Sequence, residues 1–111
     1  RTIKCSPEGI ETVRRGMRDV VEGIRGTGKA IGGLSVPCAG KTGTAQVSSG
    51  SDTVLFVGFA PYDDPEIAVA VVGENVKTGG GMSTVAVEVY NYYFGQKSKY
   101  ESMNKNNVLI P

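Results

Sequence analysis

The sequence has 111 residues, of which 40% are hydrophobic and 21% are charged, the balance of a globular domain rather than a disordered chain. A net charge of +1 gives no basic surface for nucleic acid, and no apolar run approaches the roughly 20 residues that cross a bilayer. The absence of histidine excludes Ser-His-Asp catalysis and removes the commonest metal ligand. We therefore expect no metal, no cofactor and no nucleic-acid partner.

The two cysteines, Cys5 and Cys38, cannot form a zinc site alone, and neither lies in a Cys-x-x-Cys motif. Two separate thiols are the favoured interpretation. A disulfide between them in an oxidising compartment is the alternative.

The first predicted element is a helix that begins after Ser6. Ser6 suits the N-cap, Pro7 the first helical position, and Glu8 the positive end of the helix dipole. Apolar residues then recur at three- and four-residue steps and form one stripe: Ile10, Val13, Met17, Val20, Val21 and Ile24. The Gly26-Thr27-Gly28 segment is predicted to end this helix.

Three strands are predicted over residues 39–47, 53–60 and 66–74, joined by short turns. The second and third are apolar nearly throughout, which favours a sheet covered on both faces, in part by protein outside this chain. The order helix, three antiparallel strands, helix predicts an α+β fold.

The last predicted helix follows a glycine-rich loop, with Ser83 or Thr84 as its cap and Gly95 at its end. Its apolar stripe consists of Val85, Ala86, Val89, Tyr90, Tyr93 and Phe94. The polar residues beyond it lack a helical period. We accordingly divide the chain into residues 1–96 and a polar tail, residues 97–111, which is predicted to be mobile.

The stretch that carries chemistry is Ala-Gly-Lys-Thr-Gly-Thr-Ala-Gln at residues 39–46. On a strand, Thr42 and Thr44 point to one side, and Lys41 and Gly43 to the other. Two hydroxyls can hold a carboxylate, Lys41 supplies positive charge, and Gly43 leaves space for the backbone of a ligand. If the strand lies at a sheet edge, one of its free amides could face a developing oxyanion. The alternative is a surface strand with a solvated lysine.

The Lys41-Thr42-Gly43 triplet resembles one of the three signatures of penicillin-binding proteins and serine β-lactamases. Over residues 6–95 the chain resembles the class B, monofunctional penicillin-binding proteins in particular. The features that extend the resemblance are the Gly26-Thr27-Gly28 segment, the Ala39-Gly40 lead-in, the apolar run 56–61, the apolar strand that pairs with it, and Gly79-Gly80. Two departures leave the subfamily open: Thr53-Val54-Leu55-Phe56 replaces a His-x-Trp-Phe run, and Ser83-Thr84-Val85 replaces Ala-Ala-Pro.

The resemblance implies that this chain is the C-terminal portion of a peptidoglycan D,D-transpeptidase domain on the extracytoplasmic face of the bacterial membrane, with its anchor elsewhere. Lys41 and Thr44 would be catalytic, and residues 41–44 (Lys41, Thr42, Gly43, Thr44) would bind the substrate. The hydroxyls of Thr42 and Thr44 would hold the terminal carboxylate of a stem peptide or a β-lactam. The Thr44 N–H would form half of an oxyanion hole.

The serine nucleophile of the family is not found upstream of Lys41, where the order of the family's motifs would place it. Ser-x-x-Lys and Ser-x-Asn should precede Lys41, and neither does, so we expect an N-terminal remainder of the domain to carry them. Ser102-Met103-Asn104-Lys105 matches both patterns but is interpreted as coincidence in a polar tail without a helix, and Lys77-Thr78-Gly79 as a solvated turn. A nucleotide-binding loop at Gly40-Lys41-Thr42 is disfavoured, because that motif has a glycine five residues before Gly40, where this chain has Ser35, and a helix after the threonine, where a strand is predicted.

Three functions thus stay open at this point. The favoured one is a transpeptidase fragment that is inactive alone. The others are part of a serine β-lactamase or β-lactam-sensing domain, and a non-catalytic domain of the same fold.

Overall fold

The computed structural model describes residues 2–46, 51–76 and 81–106. Its elements in chain order are helix α1 (Pro7–Glu22), a short 3-10 helix (Lys29–Ile31), strands β1 (Ala39–Ala45), β2 (Asp52–Ala60) and β3 (Ile67–Val76), and helix α2 (Met82–Asn106). The strands form one antiparallel sheet in the order β1-β2-β3. The predicted α+β class and the order of elements are confirmed. Neither described α-helix combines the length and the hydropathy that a membrane span requires.

Helix α1 begins as predicted but ends early. The Ser6 side chain accepts a hydrogen bond of 3.1 Å from the Gly9 N–H, and Pro7 follows it at the first helical position. The helix ends at Glu22 because Gly23 leaves the helical conformation while its N–H donates to the Asp19 carbonyl at 2.8 Å. A Cβ at Gly23 would lie 2.4 Å from that carbonyl oxygen, so only glycine fits there.

The core lies where the two helices meet the sheet. Helix α1 packs against β1, and α2 packs against β2 and β3. The buried residues of the core cluster come from both helices, the 3-10 helix, β2 and the segment before β1: Val21, Ile31, Cys38, Phe56, Ala60, Ala86 and Tyr90. Phe56 and Tyr90 are fully buried and have the largest side chains of this set, so their burial dominates the hydrophobic stabilisation.

The other face of the β2–β3 pair is only partly covered. Side chains alternate between the two faces of a strand, so the buried Phe56 and its neighbour Val57 point in opposite directions. Val57 retains 39% of its accessible surface and Val72 of β3 retains 63%. Within the described residues this face is therefore partly open, and its coverage by protein outside this chain stays a prediction.

Helix α2 differs from the prediction at both ends. It begins at Met82, and Ser83 lies buried in the first turn instead of capping it. It also continues through Gly95, where a Cβ would meet no atom within 4 Å, so the predicted end at Gly95 is wrong. Beyond Gly95, the Lys97 ammonium contacts the Glu66 carboxylate at 2.7 Å and ties the helix to the start of β3. The mobility of residues 97–111 stays a prediction, and residues 107–111 lie outside the described ranges.

Candidate active site

Strand β1 lies at the edge of the sheet and pairs with β2 alone among the described strands. In the register, Lys41 lies opposite Val57, Thr42 opposite Phe56, and Thr44 opposite Val54. Alternation along the strand places Thr42 and Thr44 on one face and Lys41 on the other, as predicted. In an antiparallel pair every second residue directs its N–H and C=O away from the partner, so β1 presents backbone donors at its open edge.

Lys41 supplies an accessible positive charge on this edge. Its side chain is exposed, and its ammonium donates to the Thr42 carbonyl at 2.5 Å. Within the described ranges its ammonium forms no ion pair with a carboxylate. An anionic ligand at β1 could therefore bind Lys41 without breaking an existing salt bridge.

The glycines of β1 allow side chains of β2 to pack directly against the strand. A Cβ at Gly40 would lie 2.3 Å from Cζ of the Phe56 ring, and a Cβ at Gly43 would lie 2.9 Å from Cδ1 of Leu55. Both distances are shorter than non-bonded carbon atoms allow. The space predicted at Gly43 for the backbone of a ligand thus has a second explanation, which is contact with Leu55.

Thr42 is held by a residue that sequence reasoning did not assign to the site. The Thr27 hydroxyl lies 2.9 Å from the Thr42 hydroxyl, and either oxygen can be the donor. Thr27 belongs to the Gly26-Thr27-Gly28 segment, which was interpreted only as the end of a helix and as part of a family resemblance. A threonine between two glycines in a tight turn was the available signal, but its contact 15 residues away depends on the tertiary fold.

Comparison with known proteins identifies the family of the chain. A family model described as "Penicillin binding protein transpeptidase domain" matches residues 1–93. This match covers most of the 111 residues. The chain belongs to the penicillin-binding protein transpeptidase family. The predicted resemblance is confirmed.

Curated proteins and solved structures of the family resemble the chain closely. Peptidoglycan D,D-transpeptidase MrdA of Acinetobacter baumannii is 40% identical over 102 residues, covering 78% of this chain and 15% of the relative. Penicillin-binding protein 2B of Streptococcus pneumoniae is 36% identical over 112 residues, covering 92% of this chain and 16% of the relative. The crystal structure of Pseudomonas aeruginosa PBP2 in complex with WCK 5153 matches with 41% identity and a TM-score of 0.72, over 83% of this chain and 20% of that chain. The chain thus spans about a sixth of the length of these curated relatives.

The buried thiol next to β1 is not a candidate nucleophile. Cys38 directly precedes β1, is 2% exposed, and is a free thiol, as is the exposed Cys5. Burial, with a smaller contribution from the nearby Glu22 carboxylate, raises the pKa of the Cys38 thiol to about 11. Because the thiolate is the nucleophilic form, Cys38 is inert at neutral pH.

The Ser-x-x-Lys match that the sequence analysis singled out lies near the end of α2. Ser102-Met103-Asn104-Lys105 is helical, so the prediction that it lacks a helix is wrong. All four residues are exposed. A solvent-exposed serine without apolar surroundings has no activated base beside it, so the interpretation as coincidence is retained. The Lys77-Thr78-Gly79 triplet lies outside the described residues.

Proposed function

We propose that this chain is the C-terminal portion of a peptidoglycan D,D-transpeptidase domain and supplies one wall of its active site. The observation that carries the proposal is an edge strand with an exposed ammonium at Lys41 and hydroxyls at Thr42 and Thr44 on its opposite face. In the reaction, a serine attacks the carbonyl of a D-Ala-D-Ala stem peptide and D-Ala leaves. An amine from a neighbouring stem then resolves the acyl-enzyme.

Each residue of the strand has a role that follows from its chemistry. The Thr42 and Thr44 hydroxyls donate to the terminal carboxylate of the stem peptide or of a β-lactam, and Lys41 stabilises the same negative charge electrostatically. The Thr44 N–H donates to the oxyanion of the tetrahedral intermediate, where the N–H of the attacking serine is the second donor. Gly43 leaves space for the backbone of the substrate to lie close to the strand.

The serine and its lysine come from a companion segment of the same domain, with the Ser-x-x-Lys and Ser-x-Asn motifs. The partly open sheet face supports this division of labour, because exposed apolar side chains such as Val57 and Val72 are those of a surface that other protein covers. The full-length protein acts at the extracytoplasmic face of the membrane, with its anchor in another segment.

Labelling with a fluorescent penicillin tests the proposal. The isolated chain should form no covalent adduct, whereas the full-length protein should form one that survives denaturation and maps to a serine outside residues 1–111. A stoichiometric adduct on the isolated chain would refute the division of labour. Rapid turnover of the penicillin by the full-length protein would favour a β-lactamase instead, and no adduct at all would favour a non-catalytic domain.

A further inference from the structure

The turn between α1 and the 3-10 helix is fixed to the end of α1. The Gly26 N–H donates to the Gly23 carbonyl and the Gly28 N–H donates to the Val20 carbonyl, both at 2.9 Å. A Cβ at Gly26 would lie 2.3 Å from the Val20 oxygen, so the turn approaches the helix more closely than another residue would allow. Thr27, between the two glycines, therefore has a well-defined position.

The side chain of Thr27 reaches β1 from this turn. Its Oγ1 lies 2.9 Å from Oγ1 of Thr42, a hydrogen-bond distance between hydroxyls. Thr27 is exposed and Thr42 is half-buried, so the pair lies at the surface of the site and not in the core. Each hydroxyl has one proton to donate and two lone pairs that accept, so this contact leaves each hydroxyl able to form a further bond.

We propose that Thr27 is a positioning residue that donates its hydroxyl proton to Thr42 Oγ1. The Thr42 proton then cannot point back at Thr27 and is directed toward the carboxylate of the ligand. A hydroxyl that accepts one hydrogen bond also becomes a stronger donor in the next, because chained hydrogen bonds polarise one another. This inference rests on the proposed function of Thr42 as a carboxylate ligand.

A purely structural role for the pair makes a different prediction. If the contact only fastened the turn to β1, its loss would lower the melting temperature and slow acylation by every ligand alike. If Thr27 orients the Thr42 proton, its loss penalises ligands that have the free carboxylate.

Acylation of the full-length protein separates the two cases. We would measure the second-order acylation rate constant with benzylpenicillin and with its methyl ester for four variants: Thr27→Val, Thr27→Ser, Thr42→Val and Thr27→Val/Thr42→Val. Valine keeps the shape of threonine and removes the hydroxyl, whereas serine keeps the hydroxyl. Thr27→Val should slow acylation by benzylpenicillin about fivefold, the effect of one modest hydrogen bond, and acylation by the ester less than twofold. Thr27→Ser should restore most of the rate, and Thr27→Val should have no further effect in the Thr42→Val background.

Three results would overturn the inference: equal losses for acid and ester, a loss that persists in the Thr42→Val background, or no loss at all. Failure of the proposed function appears separately. In that case Thr42→Val alone would leave acylation by benzylpenicillin unchanged, or the wild-type protein would form no adduct.

Discussion

The two halves of β1 differ in burial although they belong to one strand of 7 residues. Ala39 is 1% exposed and Gly40 is buried beneath the Phe56 ring, while Lys41 and Thr44 are exposed. The buried half, Ala39 and Gly40, contributes hydrophobic contacts, and the open half, residues 41–45, contributes polar groups. The buried half therefore anchors the strand in the fold, and the polar groups of the open half do not have to contribute to stability.

Substitutions can test whether the halves are as separate as their burial indicates. A change in the open half should alter acylation and leave the free energy of unfolding nearly constant. A change in the buried half should do the reverse, as long as the variant remains folded.

The largest effect is expected at Lys41. In the full-length protein Lys41→Ala should slow acylation by penicillin roughly 100-fold, about 3 kcal/mol, because one charge contact to the reacting ligand is lost. The melting temperature should stay within about 1 °C, since Lys41 is exposed and surface charges contribute little to stability. Time-resolved labelling with a fluorescent penicillin measures the rate. Lys99→Ala, which removes another exposed lysine on α2, is the matched control and should react like the wild type. A Lys41→Ala rate within twofold of the wild type would remove Lys41 from the site.

The next largest effect is expected at Gly40, in the buried half. Gly40→Ala should lower the free energy of unfolding by about 2–3 kcal/mol, because the new Cβ would lie 2.3 Å from Cζ of the fully buried Phe56 ring. Denaturant unfolding measures the change. Gly33→Ala is the control, because a Cβ at Gly33 meets no atom within 4 Å. Equal stability of the two variants would show that the ring can move aside.

The strand and its alternation could be predicted because both depend on local sequence. Two β-branched threonines between two turns indicate β1 despite its glycines, and a period of two residues separates Lys41 from Thr42 and Thr44 without knowledge of the fold. The order of elements followed from the same local signals.

Contacts between distant residues could not be predicted in this way. Gly95 favours a helix end by its own propensity, but the Lys97–Glu66 pair, 31 residues apart, supports continuation of α2. The Thr27–Thr42 contact likewise depends on how α1 is placed against β1. The sequence showed that both faces of β2 and β3 are apolar. It could not show which face stays exposed, because that depends on which other parts of the protein pack against the sheet.

A pH-dependent effect is expected from the thiol that precedes the buried half. In the unfolded chain the Cys38 thiol ionises near pH 9, whereas burial raises its pKa in the folded state to about 11. Between these values the unfolded state has lost the proton and the folded state keeps it. Stability is therefore fully present below about pH 9 and is lost as the pH rises through about 11, by on the order of 2 kcal/mol. The Tyr90 hydroxyl, whose pKa burial raises to about 12, extends this loss to higher pH.

The free energy of unfolding between pH 8 and pH 11 measures this contribution of Cys38. Cys38→Ala lowers stability at every pH because it removes buried atoms, but it should flatten the decline above pH 9. Cys5→Ala is the matched control, since Cys5 is exposed and should leave the slope unchanged. An identical decline in the wild type and in Cys38→Ala would place the titrating group elsewhere.

The smallest effect, at Gly43, tests where the boundary between the halves lies. Gly43 belongs to the open half, yet a Cβ there would lie 2.9 Å from Cδ1 and 3.0 Å from Cγ of Leu55. Leu55 is only half-buried and can change rotamer, so Gly43→Ala should cost about 1 kcal/mol of unfolding free energy, less than the change at Gly40. In a Leu55→Ala background this cost should disappear, which a double-mutant cycle measures. If acylation by penicillin is then normal in Gly43→Ala/Leu55→Ala, Gly43 is needed for packing against β2. If acylation stays slow while the cost in stability is gone, glycine is needed at position 43 because the substrate occupies the space of a side chain. Gly43 then belongs to the open half by its function as well as by its position.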